Sequence, residues 1–269
     1  MRAWLGSTHP GPAFAVTLMT VVLAIGVGLS PFSVMLLGLA MLAGQFSVGL
    51  SNDWLDAARD RATGRTDKPV ATGDISVGVV RGSAWITAAL ALLLTVPLGP
   101  WTLVAHGAFI LSAWSYNLWL KKTVVSVLPY VISFGLLPSI VTLSLPQPGF
   151  AAWWATATGA LLGVAAHFAN VLPDLEADRA TGVRGLPHRA GARGSGVVIA
   201  LALAAASVVL FVGALTVHIA VLAGGIALAI ACGVIAVRGG VSRLLFRLII
   251  ACAVVDVAVL AVSGAGLLA

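Results

Sequence analysis

The chain has 269 residues, of which 60% are hydrophobic and only 9% charged, against roughly 25% charged in soluble domains. That composition excludes a soluble globular enzyme and places the chain in a lipid bilayer. The net charge of +6 invites a nucleic-acid reading. The cations are, however, spread over several connections between apolar runs, the ordinary consequence of membrane insertion, so nucleic acid is not an expected partner.

Apolar runs long enough to cross a bilayer, about 17 to 25 residues each, are predicted at 12–30, 32–51, 78–98, 101–120, 124–145, 150–172, 196–216, 218–237 and 245–268. The expected fold is all-α: one integral-membrane domain over residues 1–269, a polytopic bundle of nine transmembrane helices. The first run lacks a small-residue cleavage site and is kept as a helix rather than a signal peptide. All fifteen Lys and Arg lie before the first run or after an even-numbered one. Because cytoplasmic loops collect such residues, the N-terminus is expected in the cytoplasm and the C-terminus outside. The connections 61–77 and 179–195, Gly- and Arg-rich and longer than ordinary loops, are expected to form a cytoplasmic cap. Cys232 and Cys252 lie inside apolar runs without metal-ligand spacing and read as small packing residues. The pair Gly159-x3-Gly163 reads as a site of close helix approach.

Two acidic segments end the second and sixth spans: Asn52-Asp53-Trp54-Leu55-Asp56-Ala57-Ala58-Arg59-Asp60-Arg61-Ala62-Thr63-Gly64, and Asn170-Val171-Leu172-Pro173-Asp174-Leu175-Glu176-Ala177-Asp178-Arg179-Ala180-Thr181-Gly182. They agree at seven of thirteen positions. Each copy sets an amide and two carboxylates at i, i+4 and i+8, which on an α-helix is one face. Four-helix repeats over about 12–120 and 124–237, with a ninth helix appended, are one origin for this; convergence on one ligand geometry is the other. Stacked like charges destabilise a helix, so removing one is expected to stabilise the ligand-free protein slightly. A chain this poor in carboxylates should group them around a cation.

Magnesium takes oxygen ligands, keeps several waters, and is usually held by one or two carboxylates together with substrate phosphates. Asp56, Asp60, Asp174 and Asp178 are the candidate metal ligands and catalytic residues. Arg65, Lys68, Lys121 and Lys122 are candidates for phosphate contact, although each alone reads as a topogenic boundary residue. Asp256 sits mid-span, where an ionisable group is either functional or a hydrogen-bonding link between helices. His167, one turn before Asn170, reads as a packing histidine that could orient it. Trp54, Trp114, Tyr116, Trp119, Tyr130, Phe134 and Phe168 lie near plausible cavity helices, each read first as core packing or interface.

These residues resemble the UbiA-type intramembrane prenyltransferases. That family's first motif, N-D-x-x-D-x-x-x-D, is similar to Asn52, Asp53, Asp56 and Asp60; its second, D-x-x-x-D, to Asp174 and Asp178. The family's basic stretch ending in Pro resembles Arg65-Thr66-Asp67-Lys68-Pro69. Its tyrosine-to-lysine element is similar to Tyr116-Asn117-Leu118-Trp119-Leu120-Lys121-Lys122, although the family's tighter Y-x-x-x-K spacing is not met. The resemblance implies Mg2+-dependent transfer of a prenyl group from an allylic isoprenyl diphosphate to a hydrophobic acceptor, foremost an aromatic one, with release of diphosphate. It implies catalytic roles for Asp56, Asp60, Asp174, Asp178 and Lys121, and substrate contacts from Asn52, Asp53, Arg65, Lys68, Tyr116, Lys122 and Asn170. A membrane terpene cyclase of the same architecture, or a non-enzymatic isoprenoid-diphosphate binder or transporter, are the alternatives. Against transport, eight of the nine acidic residues lie at one membrane boundary rather than mid-membrane.

Overall fold

The computed structural model describes residues 1–175, 178, 182–214, 219–238, 243–262 and 264–267. Of the second acidic segment, Glu176, Ala177, Arg179, Ala180 and Thr181 lie outside the described residues. Among the described residues there are eleven α-helices and no strand: α1 (Arg2–Ser7), α2 (Pro10–Gly26), α3 (Pro31–Ala62), α4 (Pro69–Thr72), α5 (Val77–Thr95), α6 (Pro100–Leu118), α7 (Leu128–Thr142), α8 (Trp153–Val171), α9 (Leu186–Gly213), α10 (Ile219–Val237) and α11 (Arg243–Val262). The all-α membrane bundle is thus observed, while the count of nine spans is not confirmed. Among the described residues four segments are long and apolar enough to cross a membrane by themselves: Pro31–Ala62, Val77–Leu98, Trp153–Asp174 and Leu186–Gly213. For α7 the reason is helix length. The 15 residues of α7 rise only about 22 Å, against a hydrocarbon core of about 30 Å.

The opposite holds for α3. Its 32 residues rise about 48 Å, so the first acidic motif forms the far end of a membrane helix, as the sequence leads one to expect. Ser30 caps the start, its hydroxyl accepting from the Ser33 amide at 3.1 Å, with Pro31 in the first turn. The end is a glycine closure. Gly64 adopts φ 67°, its amide bonds the Arg61 carbonyl, and the Arg65 amide reaches back to the Asp60 carbonyl at 3.0 Å. The second motif closes in the same way: Gly182 has φ 79° and the Val183 amide bonds the Asp178 carbonyl at 3.0 Å. The glycine of the first segment is therefore a helix stop, and Gly182 has the same backbone conformation.

The expectation that each motif lies on one face of one helix holds for the first copy and fails for the second. Asn52, Asp56 and Asp60 lie within α3, whereas α8 ends at Val171 and the chain passes into a 3-10 turn over Leu172–Asp174. Pro173 has no amide hydrogen to continue the α ladder, and its ring crowds the carbonyl of residue 169. The expected loop over 179–195 is also shorter than read, because α9 begins at Leu186 with Pro187 in its first turn and breaks at Gly191, where φ is 69°.

Helix α3 packs on α2, α5 and α6; α6 packs on α7, α7 on α8 and α8 on α9; α11 packs on α2 and α8 and closes the ring. Gly159 and Gly163 let α8 lie directly on α7, since a Cβ at either position would collide with the carbonyl of Phe134 or Tyr130. The ring encloses a cavity of about 440 Å³.

Candidate active site

Ten of the twelve site residues read from sequence line this one cavity: Asn52, Asp56, Asp60, Arg65, Lys68, Tyr116, Lys121, Asn170, Asp174 and Asp178. Asp53 and Lys122 do not. Asp53 is buried behind the wall, where it accepts from Lys68 Nζ at 2.5 Å and pairs with His9 Nε2 at 2.8 Å. Lys122 is exposed, because neighbouring residues in the 3-10 turn Leu120–Lys122 point about 120° apart and only Lys121 faces inward.

The two motifs are joined by cations. Lys121 Nζ donates to Asp56 Oδ1. Arg59 Nη2 donates to Asp56 Oδ2 at 2.8 Å, while its other nitrogens lie 3.5 Å from Asp60 Oδ1 and 3.7 Å from Asp178 Oδ1. Arg65 spans the mouth, 3.3 Å from Asp174 Oδ1 and 2.7 Å from Asp67 Oδ1. His188 Nε2 lies 3.3 Å from Asp178 Oδ2. Lys68 also reaches Asn52 Oδ1 at 3.2 Å and lies 4.0 Å from Asp60 Oδ2. The acidic repeat thus sits in a lattice of positive charge contributed by α3, the loop after it and the turn after α6.

Electrostatics at the mouth follow from burial and pairing. The Arg65 hydrogen bonds hold the Asp67 carboxyl down at about 2. Burial pulls the Lys121 ammonium below the ordinary lysine range, and Asp56 opposes this. Burial also pushes the Asp178 carboxyl up, with Arg59 and His188 working against it. A poorly solvated carboxylate of this kind gains from a divalent cation.

The donor set suits a hard cation that arrives with part of its own coordination shell. Among the described residues no three His, Cys, Asp or Glu side chains are gathered to hold a metal alone. Four carboxylates do face one cavity, and Mg2+ is usually held by one or two carboxylates plus phosphate and water. The residues present therefore fit Mg2+ bound together with a diphosphate.

Three contributors were not legible from sequence. Arg59 counts there only as a loop cation, and its counterpart in the second segment is Ala177, so comparing the copies marks the position without giving its role. His9 lies 44 residues from Asp53 and caps α2 with φ 51°, a conformation uncommon for a residue with a side chain. Asn117 ties α6 to α3, its amide nitrogen donating to the Val48 carbonyl at 2.9 Å and to Ser51 Oγ at 2.8 Å, with Asn52 Nδ2 3.4 Å from its oxygen. The extra residue between Tyr116 and Lys121 is absorbed where α6 gives way to the 3-10 turn, and both side chains line the cavity.

Of the seven aromatics singled out, Tyr116, Tyr130 and Phe134 line the cavity. Tyr116 meets Tyr130 edge-on at 5.2 Å, and Phe134 stacks on Tyr130 at 6.3 Å. Trp54 and Trp114 pack on one another, and Trp119 is 62% exposed. His167 bonds Ser126 Oγ at 3.0 Å and packs edge-on against Tyr116, so it steadies the tyrosine wall.

Fold and site define an all-helical membrane protein with an apolar chamber and a mouth of interleaved carboxylates and cations. The model of the UbiA prenyltransferase family matches residues 13–249, and the chain belongs to that family. Among solved structures, a UbiA homolog from Archaeoglobus fulgidus bound to DMAPP and Mg2+ superposes with a TM-score of 0.76 at 16% identity, covering 98% of each chain. A UbiA homolog from Aeropyrum pernix K1 in its apo form gives 0.73 at 18% identity, over 91% of this chain and 94% of its own. A digeranylgeranylglyceryl phosphate synthase gives 0.63 at 14% identity, over 97% and 96%. At these identities the likeness is one of fold. No curated protein sequence matches the chain.

Proposed function

We propose that this protein transfers a prenyl group from an allylic isoprenyl diphosphate to a hydrophobic acceptor, an aromatic ring being the foremost candidate, in a Mg2+-dependent reaction. The observation that carries this reading is the ion network running from Lys121 through Asp56 and Arg59 to Asp178, which joins both acidic motifs at the polar end of an apolar cavity. Family members of the same fold have been solved with DMAPP or GPP and Mg2+.

In this reading the diphosphate sits among Lys68, Arg59, Arg65 and Lys121, and the prenyl tail extends along α3 toward Gln45. Asp56, Asp60, Asp174 and Asp178 would hold Mg2+, which when bound supplies positive charge against the diphosphate oxygens. The bond between C1 and the diphosphate oxygen breaks with its electron pair leaving on diphosphate, and Lys121 and Arg59 stabilise that charge as it develops. Tyr116, Tyr130 and Phe134 line the cavity and supply the aromatic rings that stabilise the allylic cation. The apolar walls exclude water, which would otherwise capture the cation as an alcohol. A new bond forms between C1 and the acceptor, which loses a proton.

Purified protein given ten- to twenty-carbon allylic diphosphates is expected to release pyrophosphate only with Mg2+, faster with the right acceptor, and to yield a prenylated product. A cyclic hydrocarbon formed without acceptor would assign a cyclase instead. Tight binding without pyrophosphate release would assign a binder or transporter.

The sidedness of this chemistry follows from the charge sorting, which puts the acidic mouth in the cytoplasm. Cysteines at the exposed positions Asp67 and Arg184 are expected to label from the cytoplasmic side, and one at Gln147 from the other. Labelling of 67 and 184 from opposite sides would break both the topology and the shared site.

A further inference from the structure

Leu203, buried on α9, stands between two cavities. It lines the main cavity and also a second one of about 280 Å³, whose other walls are Ser207 on α9, Gly224, Gly225 and Leu228 on α10, and Val255 and Asp256 on α11. Along α3 the main cavity runs from Asp60 to Gln45, a rise of about 22 Å. Polar side chains crowd the Asp60 end, whereas Met19, Phe109, Leu162, Leu203 and Ala253 bound the rest. A donor anchored by its diphosphate at the mouth therefore points its tail at Leu203.

The space behind Leu203 differs in chemistry. Asp256 is only 4% exposed there and shares the lining with Ser207, whose hydroxyl donates to the Leu203 carbonyl at 3.2 Å. Ser207 approaches α10 so closely that a Cβ on Gly225 would meet its Oγ at 2.5 Å. The polar pair is thus built into the packing of α9 against α10 and α11. Hydrocarbon entering this space would bury a carboxyl group without offering it a hydrogen bond.

We infer that Leu203 is the wall that sets the upper limit on the donor's prenyl chain, and that Asp256 with Ser207 makes the space behind it a poor extension for hydrocarbon. This rests on the prenyl-transfer reading. A tail longer than the main cavity must displace Leu203, and part of what it gains by burial is offset by the buried carboxyl beyond.

The test is binding by the full-length protein in lipid nanodiscs, with Mg2+ and allylic diphosphates of five, ten, fifteen and twenty carbons, measured by calorimetry. If wild type binds none of them, the prenyl-transfer reading falls, and this inference with it. If it binds them with a length preference, Leu203→Ala is expected to raise the affinity of the next longer donor by about tenfold or more relative to the one wild type binds best, as extra hydrocarbon becomes buried. Ala253→Leu, which fills the same end, is expected to move the preference one unit shorter, and it decides the matter should Leu203→Ala fail to fold. Asp256→Leu alone is expected to leave the order unchanged because Leu203 still closes the way, yet added to Leu203→Ala it should widen the gain severalfold. An unchanged length preference in both Leu203→Ala and Ala253→Leu, or a shift from Asp256→Leu alone as large as that from Leu203→Ala, overturns the assignment.

Discussion

Asp56→Ala is expected to lower kcat for pyrophosphate release by about 10²- to 10³-fold or more, the scale seen when a single preorganised electrostatic partner is removed from an active site. The same substitution is expected to destabilise the protein. From sequence alone the opposite sign follows, since stacked carboxylates repel and deleting one should relieve the strain. The structure reverses it, because Asp56 is paired with Lys121 and with Arg59. Removing it leaves the ammonium of Lys121, 6% exposed, without its carboxylate, and an uncompensated buried charge costs about 3–5 kcal/mol. Thermal unfolding in detergent should therefore show a fall in Tm for Asp56→Ala, largely reversed in Asp56→Ala/Lys121→Met, while activity stays lost in both. A double variant as unstable as the single one would show that the pair does not govern stability; full activity in Asp56→Ala would remove the carboxylate from the mechanism.

Arg59→Ala is expected to be nearly as damaging, with kcat lowered about 10²-fold and the affinity for diphosphate with Mg2+ weakened. Arg59 approaches Asp56, Asp60 and Asp178 with different nitrogens of one guanidinium. A lysine offers a single ammonium and cannot span the three carboxylates, so Arg59→Lys is expected to recover little. Isothermal titration with inorganic pyrophosphate and Mg2+, beside turnover with a ten-carbon donor, separates the two effects. Wild-type values for Arg59→Lys in both would reduce Arg59 to the topogenic role that its position at a membrane boundary suggests.

The contrast between Arg59 and Lys122 shows where sequence reading works and where it stops. Both are cations at the acidic boundary, and composition and charge sorting treat them alike. One sits on a helix face turned into the ring and the other on the outside of a tight turn, which no count of charges distinguishes. His9 and Asn117 are further cases: their partners Asp53 and Ser51 lie 44 and 66 residues away, and only the closure of the bundle brings them together.

Local features were legible because local rules govern them. Low charge and long apolar runs dictate a helical membrane protein, since a backbone in lipid must satisfy its own hydrogen bonds. The i, i+4, i+8 spacing of Asn52, Asp56 and Asp60 places them on one face because α3 runs unbroken through the motif. The same rule failed at Asn170, Asp174 and Asp178 because Pro173 ends the α-helix between them, and the repeated spacing outweighed a breaker visible in the sequence. The repeated glycine takes a positive φ in both segments and in the first one closes α3. The tertiary structure alone decided which cation meets which carboxylate, that Tyr116 and Lys121 share a chamber despite their irregular spacing, and that Leu203 divides one cavity from the next. Helix formation depends on neighbours within a turn or two, whereas charge pairing and cavity shape depend on how whole helices pack across the ring, and that packing is set by contacts far apart in the chain.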